Sequence, residues 1–133
     1  MPVQVRWYND DRRILYYDFQ GEWTWDEYFN ALAEGRAMMR SVDYAVCLLN
    51  DMRNATHMPN GFMSKAQTVV GSRPDNTGRV VFIATQTFFL NMLDTVRRVL
   101  PAFGANYYYE ETEDLALAHL QRWMTEHASN AHS

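Results

Sequence analysis

The segment Tyr44-Ala45-Val46-Cys47-Leu48-Leu49, stopped by Asn50-Asp51, decides the fold. It is a continuous apolar run rich in β-formers, the pattern of a strand buried on both faces. Arg79-Val80-Val81-Phe82-Ile83-Ala84 repeats that pattern after the turn chemistry of Ser72-Arg73-Pro74-Asp75-Asn76-Thr77-Gly78. Between the two runs lie a polar loop, Met52–Asn60, and a helix from about Gly61 to Val70. A further helix, from about Gln86 to Leu100, carries Phe89, Met92, Leu93, Val96 and Leu100 at helical spacing and is closed by Pro101 and Gly104. Strands alternating with helices imply right-handed crossovers and a mostly parallel sheet.

Working outward, Val3–Tyr8 alternates Val3, Val5 and Trp7 against Gln4, Arg6 and Tyr8, a period-2 strand. Asn9-Asp10-Asp11 is a turn cluster and Ile14–Phe19 a second strand, so the chain opens on an antiparallel hairpin. Thr24-Trp25-Asp26-Glu27 is a capping box for a helix running to about Arg40, with Tyr28, Phe29, Leu32 and Met39 near one face. Toward the C-terminus, Tyr107–Tyr109 is a short strand. Thr112 or Glu111 caps a last helix through about His127, with Leu115, Ala118, Leu120 and Trp123 available for burial. The expected architecture is α/β: one domain over residues 1–128 with a mostly parallel sheet of about five strands, an N-terminal antiparallel hairpin and about four helices. Residues 129–133 read as a frayed tail. A sheet this small lets all the helices lie on one face, leaving the other to water or a second subunit.

The 133 residues fit one domain, and 47% hydrophobic with 21% charged residues is ordinary globular usage. No apolar run reaches the roughly 18–20 residues that span a bilayer, and Met1–Asp10 lacks the apolar stretch of a secretion signal. A cytoplasmic protein is expected. The net charge of −4 argues against nucleic acid as a partner. Cys47 is the single cysteine, with no partner for an intrachain disulfide and no CxxC metal motif. His57, His119, His127 and His132 are scattered, and His119 and His127 lie two helical turns apart, about 11–12 Å. Neither a metal nor any other cofactor is expected.

The order β-β-α-β-α-β-α-β-α at this length resembles the STAS domain, the family of the bacterial anti-sigma-factor antagonists. A local echo lies in Leu48-Leu49-Asn50-Asp51-Met52-Arg53-Asn54, where STAS domains end an apolar strand on an acidic residue before a loop; Asp51 matches that position, and Thr56 falls where the family loop often carries Thr. Where the family's Asp-Ser-Ser-Gly motif is expected, this chain has Met58-Pro59-Asn60-Gly61. The phosphorylatable serine of the family therefore has no counterpart here, and the resemblance implies a scaffold without the usual phospho-switch.

The polar groups gather around the end of the third strand. Asn50, Asp51, Arg53, Asn54, Thr56, His57 and Asn60, with the apolar Phe62 and Met63 beside them, form the expected ligand- or partner-binding surface. Asn60 also reads as an N-cap. Asp51 and His57 suit a carboxylate–imidazole pair, but no serine or cysteine stands ready to complete a triad. The aromatic band Trp23, Trp25, Tyr28 and Phe29 reads first as core, and alternatively as one wall of a hydrophobic pocket against Phe88, Phe89 and Met92. The leading expectation is a non-enzymatic regulatory module that binds an unidentified protein partner, as a homodimer. The alternative is a carrier or sensor of a small hydrophobic or lipid-like ligand, and the third an enzyme using Asp51 and His57.

Overall fold

The computed structural model describes residues 2–101 and 105–131. Gly104, His132 and Ser133 lie outside the described residues. The strands are β1 (Val3–Trp7), β2 (Ile14–Gly21), β3 (Val46–Ala55), β4 (Thr77–Ile83) and β5 (Tyr107–Glu110). The helices are α1 (Trp25–Arg40), α2 (Phe62–Gly71), α3 (Thr87–Val99) and α4 (Glu113–Ala131). All five strands form one sheet whose spatial order follows the chain, β1-β2-β3-β4-β5. β1 pairs antiparallel with β2, Val3 opposite Phe19 and Trp7 opposite Leu15, and the other pairings are parallel. The α/β class, the parallel sheet and the opening hairpin are as the sequence pattern predicts.

Local chemistry accounts for the elements. The capping box forms: the Glu27 amide donates to Thr24 Oγ1 at 3.2 Å, and the Thr24 amide donates to Glu27 Oε1 at 2.9 Å. These bonds satisfy two of the free amides at the start of α1. Asn76 Nδ2 donates to Met39 O at 2.9 Å and Tyr44 O at 3.0 Å, tying the end of α1 and the approach to β3 to the start of β4. Thr112 Oγ1 accepts from the Leu115 amide and caps α4, which runs past the end expected near His127.

Right-handed crossovers between sequential parallel neighbours send α1, α2 and α3 to the same face. There they cover the larger core, with Leu15, Tyr17, Leu48, Val80, Phe89 and Leu93 buried. The expectation that every helix shares that face is corrected by α4. This helix crosses to the opposite side and packs Ala116 and Leu120 against Cys47, Leu49, Val81 and Ile83. α4 follows the edge strand β5 and joins no parallel pair of this sheet, so the handedness rule does not bind it. Strands apolar on both sides also need cover on both sides.

A second correction concerns β3. The expected loop at Met52 is strand as far as Ala55, because the ladder to β2 continues through Asp18↔Asp51, Gln20↔Asn54 and Gly21↔Ala55. Gln86 Nε2 holds the same stretch from the other side, donating to Met52 O at 2.6 Å and Ala55 O at 3.1 Å. Strand alternation then sorts the polar residues. Val46, Leu48 and Met52 join the three-helix core and Cys47 and Leu49 the α4 core, so Asn50 and Asp51 point to opposite sides of the sheet.

Candidate functional site

α1 lies over β1 while α2 leans on α3, and the two helices are parted by a cleft. One wall is the α1 stripe Trp25, Tyr28, Leu32, Arg36 and Met39; the other is the α2 stripe Phe62, Lys65, Ala66, Val69 and Val70. Both follow the i, i+3, i+4 spacing of a single helix face. The floor comes from the sheet: Tyr17, Phe19, Leu48, Asn50, Met52, Val80, Phe82 and Tyr107. The cavity measures about 60 Å³, room for a few water molecules.

Two polar straps close the cleft at its ends. At one, Trp25 Nε1 donates to Asn60 O at 2.6 Å, and the Trp25 ring lies 5.7 Å from Phe62. At the other, the Arg36 guanidinium donates to Ser72 Oγ at 2.8 Å and Val69 O at 2.9 Å. Behind Trp25 the rings stack edge to face, Trp23 5.0 Å from Trp25 and Phe19 4.9 Å from Trp23, a geometry that favours aromatic pairs.

The polar atoms inside this apolar slot set it apart from ordinary core. Tyr17 Oη, Trp23 Nε1 and Asn50 Oδ1 are buried and have no hydrogen-bond partner in the protein. All three side chains line the cleft. Burial raises the Tyr17 hydroxyl pKa well above its ordinary value, against the lowering influence of the Arg36 charge, so the group stays protonated and able to donate.

The other face of the sheet carries a connected polar cluster. Asp51, 2% exposed, accepts from Tyr16 Oη at 2.5 Å and from Arg53 through Nε at 2.9 Å and a terminal nitrogen at 2.7 Å. Arg53 also reaches Glu113 at 3.0 Å, and Tyr8 Oη donates to the other Glu113 oxygen at 2.6 Å. Burial pushes the Asp51 carboxyl upward, but the hydrogen bonds from Arg53 and Tyr16 outweigh it and hold the group below the usual carboxylate range. The same bond with Asp51 raises the Arg53 pKa, and burial followed by the Asp51 bond raises that of Tyr16. With the Arg53 amide also donating to Asp51, every strong acceptor position of the carboxylate is engaged, and the cluster fastens the start of α4 to β2, β3 and the turn after β1.

The expected binding surface is therefore divided. Asn50 lines the cleft and Asp51 and Arg53 belong to the opposite cluster. The expected Asp51–His57 pair does not form: Asp51 is bound to Tyr16 and Arg53, and His57 is exposed in the loop after β3. Asn54 and Thr56 are exposed at the end of the strand, the Thr56 amide donating to Gly21 O at 3.0 Å. Asn60 contributes its carbonyl to the Trp25 strap and is not the N-cap. That position belongs to Gly61, whose φ of +83° favours glycine and which supplies no side-chain cap. Phe62 and Met63 are half-buried, Phe62 lining the cleft.

Of the aromatic band, Trp23, Trp25 and Tyr28 do face Phe89 across the cleft. Phe88 corrects the expectation, being 44% exposed and, with Met92, on an outer groove beside the Thr56–Phe62 segment. Helical spacing turns consecutive residues about 100° apart, so Phe88 and Phe89 cannot share a wall.

Cys47 is buried, and burial raises its thiol pKa to about 11, which leaves it without thiolate character near neutrality. Among the described residues, no group of three or more His, Cys, Asp or Glu side chains is arranged to hold a metal ion, and no helix is long and apolar enough to cross a membrane. His119 is engaged by Glu110 at 2.7 Å and Arg79 at 3.2 Å, and His127 stacks on Trp123.

Tyr17, Arg36, Lys65 and Arg73 are cleft residues that the sequence reading did not single out. A signal existed for one of them: Arg36 interrupts the apolar face between Leu32 and Met39, where a cation is out of place unless it has something to bind. Protein-family models, curated proteins and solved structures contain no match to this chain, and the site is read from its own chemistry.

Proposed function

We propose that this chain is a non-enzymatic, cytoplasmic, STAS-like module that takes a small, largely apolar ligand into the cleft between α1 and α2. One observation carries the reading: three side chains that line the slot, Tyr17, Trp23 and Asn50, each hold a buried polar atom with no hydrogen-bond partner in the protein, Oη, Nε1 and Oδ1. An unpaired buried polar group costs about 1–3 kcal/mol. Three of them amount to roughly 3–9 kcal/mol, against a typical net stability of about 5–15 kcal/mol. Two donors and an acceptor in an apolar cleft are what orients a ligand in such sites. The cavity is smaller than most ligands, so entry requires α2 to move. Its start at Gly61 has no side-chain cap, which favours that motion, and the two straps to α1 are the hydrogen bonds that it would have to break.

The test is native mass spectrometry of freshly purified protein against its denatured mass, followed by tryptophan fluorescence and melting with a panel of apolar metabolites. Extra mass that vanishes on denaturation, or a fluorescence change lost in Trp25→Ala, supports the reading. A clean native mass with no response across the panel overturns it, leaving a hydrated cavity.

A second reading, a regulatory surface for a protein partner or a second copy of the chain, draws on the outer groove. It measures about 390 Å³ and is lined by Thr56, His57, Phe62, Phe88 and Met92. A dimer peak abolished by Phe88→Ser would support it, and a monomer at every concentration would count against self-association.

A further inference from the structure

Chain-wide, acids outnumber bases, 16 Asp and Glu against 12 Lys and Arg. The cleft reverses that balance. Every charged side chain lining it is a cation: Arg36, Lys65 and Arg73. None of the three is in an ion pair among the described residues, where the pairs are Arg53 with Asp51 and Glu113, and His119 with Glu110. Arg36 commits two of the five N–H donors of a guanidinium, to Ser72 Oγ and Val69 O, which leaves three.

Two of the cations stand at one end. Arg36 bonds to Ser72, the neighbour of Arg73, and both charges act on the buried Tyr107 hydroxyl. The far end is the aromatic cluster of Trp23, Trp25 and Phe62. From Trp25 to Met39 the α1 wall runs about 20 Å at roughly 1.5 Å per residue. The slot therefore has two of its cations at one end and an apolar length running from them to the aromatic cluster, with Lys65 over the Phe29 ring at 5.8 Å toward that far end. Uncompensated cations beside a low-dielectric cleft attract an anion more strongly than the same charges in water.

Resting on the reading that this cleft binds a ligand, we propose that the ligand is an anionic amphiphile. Its acidic head, a carboxylate or a phosphate, meets Arg36 and Arg73, and its apolar body runs between α1 and α2 toward Trp23 and Trp25. Such a head would take the free donors of Arg36 in charge-assisted bonds, the bidentate geometry that suits guanidinium to oxyanions.

The experiment titrates the full-length protein with four probes of equal chain length, each below its micelle concentration: dodecanoate, dodecyl phosphate, dodecanol and dodecylamine. Binding is read by tryptophan fluorescence and calorimetry. At least one anionic probe is expected to bind tenfold or more tighter than the alcohol, with the amine weakest; whichever anion binds tighter names the head. Arg73→Gln, at an exposed position outside the straps, should cost that anion about tenfold and move dodecanol less than twofold; Arg36→Gln, which also releases a strap and so acts on both probes, should narrow the anion-over-alcohol preference by a similar factor. Equal binding of anion and alcohol, unchanged in both variants, overturns the proposal while the cleft reading stands. Tightest binding of the amine also overturns it. No binding of any probe removes the cleft reading itself.

Discussion

Gly35→Ala is the substitution in which local preference and packing disagree most clearly. In an isolated helix the change is favourable by about 1 kcal/mol, since glycine is a poor interior residue. In this fold Gly35 is buried in α1 against the sheet. A Cβ there would fall on Tyr17 Oη, 2.9 Å from Tyr17 Cζ and 3.3 Å from Val5 Cγ2. Tyr17 is fully buried at 0% exposure, so the ring or the helix must shift. Overpacking of this kind costs about 1–3 kcal/mol, and a direct collision belongs at the upper end. Subtracting the propensity gain leaves a net loss of about 2 kcal/mol, or roughly 6–10 °C in melting temperature for a chain of this length. The stricter test is a cycle with Tyr17→Phe. That change removes the colliding atom, and because Tyr17 Oη is buried without a partner, it should by itself stabilise the protein by about 1–3 kcal/mol. In the Tyr17→Phe background Gly35→Ala should cost about 1–2 kcal/mol less than in the parent. Urea denaturation with an unchanged m-value reads all four corners. A stabilised Gly35→Ala protein, or the same loss in both backgrounds, would refute the claim that this glycine exists to let Tyr17 stand beside α1.

Asp51→Asn should destabilise the protein by about 1–2 kcal/mol at pH 7, the lower part of the range for charged hydrogen bonds because Arg53 is 41% exposed. Asp51 titrates lower in the folded protein than its unfolded value near 3.9. Its contribution is therefore complete above that value and is lost as the pH falls through the folded value, so the urea midpoints of parent and variant should converge below about pH 4. A gap of constant size from pH 7 to pH 3 would contradict this. Asn76→Ala, which strips the donors from Met39 O and Tyr44 O, should cost about 1–3 kcal/mol and be felt as faster local exchange of the Ser41–Tyr44 amides; protection unchanged there would mean the amide bonds are not what pins that turn.

The fold was legible where burial on both faces leaves a chain no polar option, as in Val46–Leu49 and Val80–Ile83. It became illegible where polar residues stay in the sheet. Asn50 and Asp51 look like the start of a turn, yet each has a place: one on the floor of a cleft, the other beneath Arg53 and Tyr16. Of the residues that mark the last helix for burial, Leu120 is buried but Leu115 and Ala118 are exposed, with Ala116 packing beside Leu120 instead; nor does such a stripe say on which side of a sheet the helix lies, and α4 took the side that no crossover could reach. The candidate cleft was half visible. Its aromatic wall was readable from Trp23, Trp25 and Tyr28. Its cationic end joins Arg36 and Arg73 across 37 positions of sequence, and only the docking of α1 beside α2 brings them together.

The order of the strands has a consequence for how the chain is made. Each strand lies beside the one before it, so every new unit leaving the ribosome finds its docking surface already synthesised, and no strand must wait for a distant partner. Such near-neighbour wiring lowers contact order and shortens the interval in which sticky strand edges are bare. The exception is the reverse side. Cys47, Leu49, Val81 and Ile83 stay uncovered until α4 arrives after all five strands, and the Arg53–Glu113 contact then bolts it down. A nascent chain halted before residue 113 would therefore carry a complete sheet with one greasy side, a natural handhold for a chaperone.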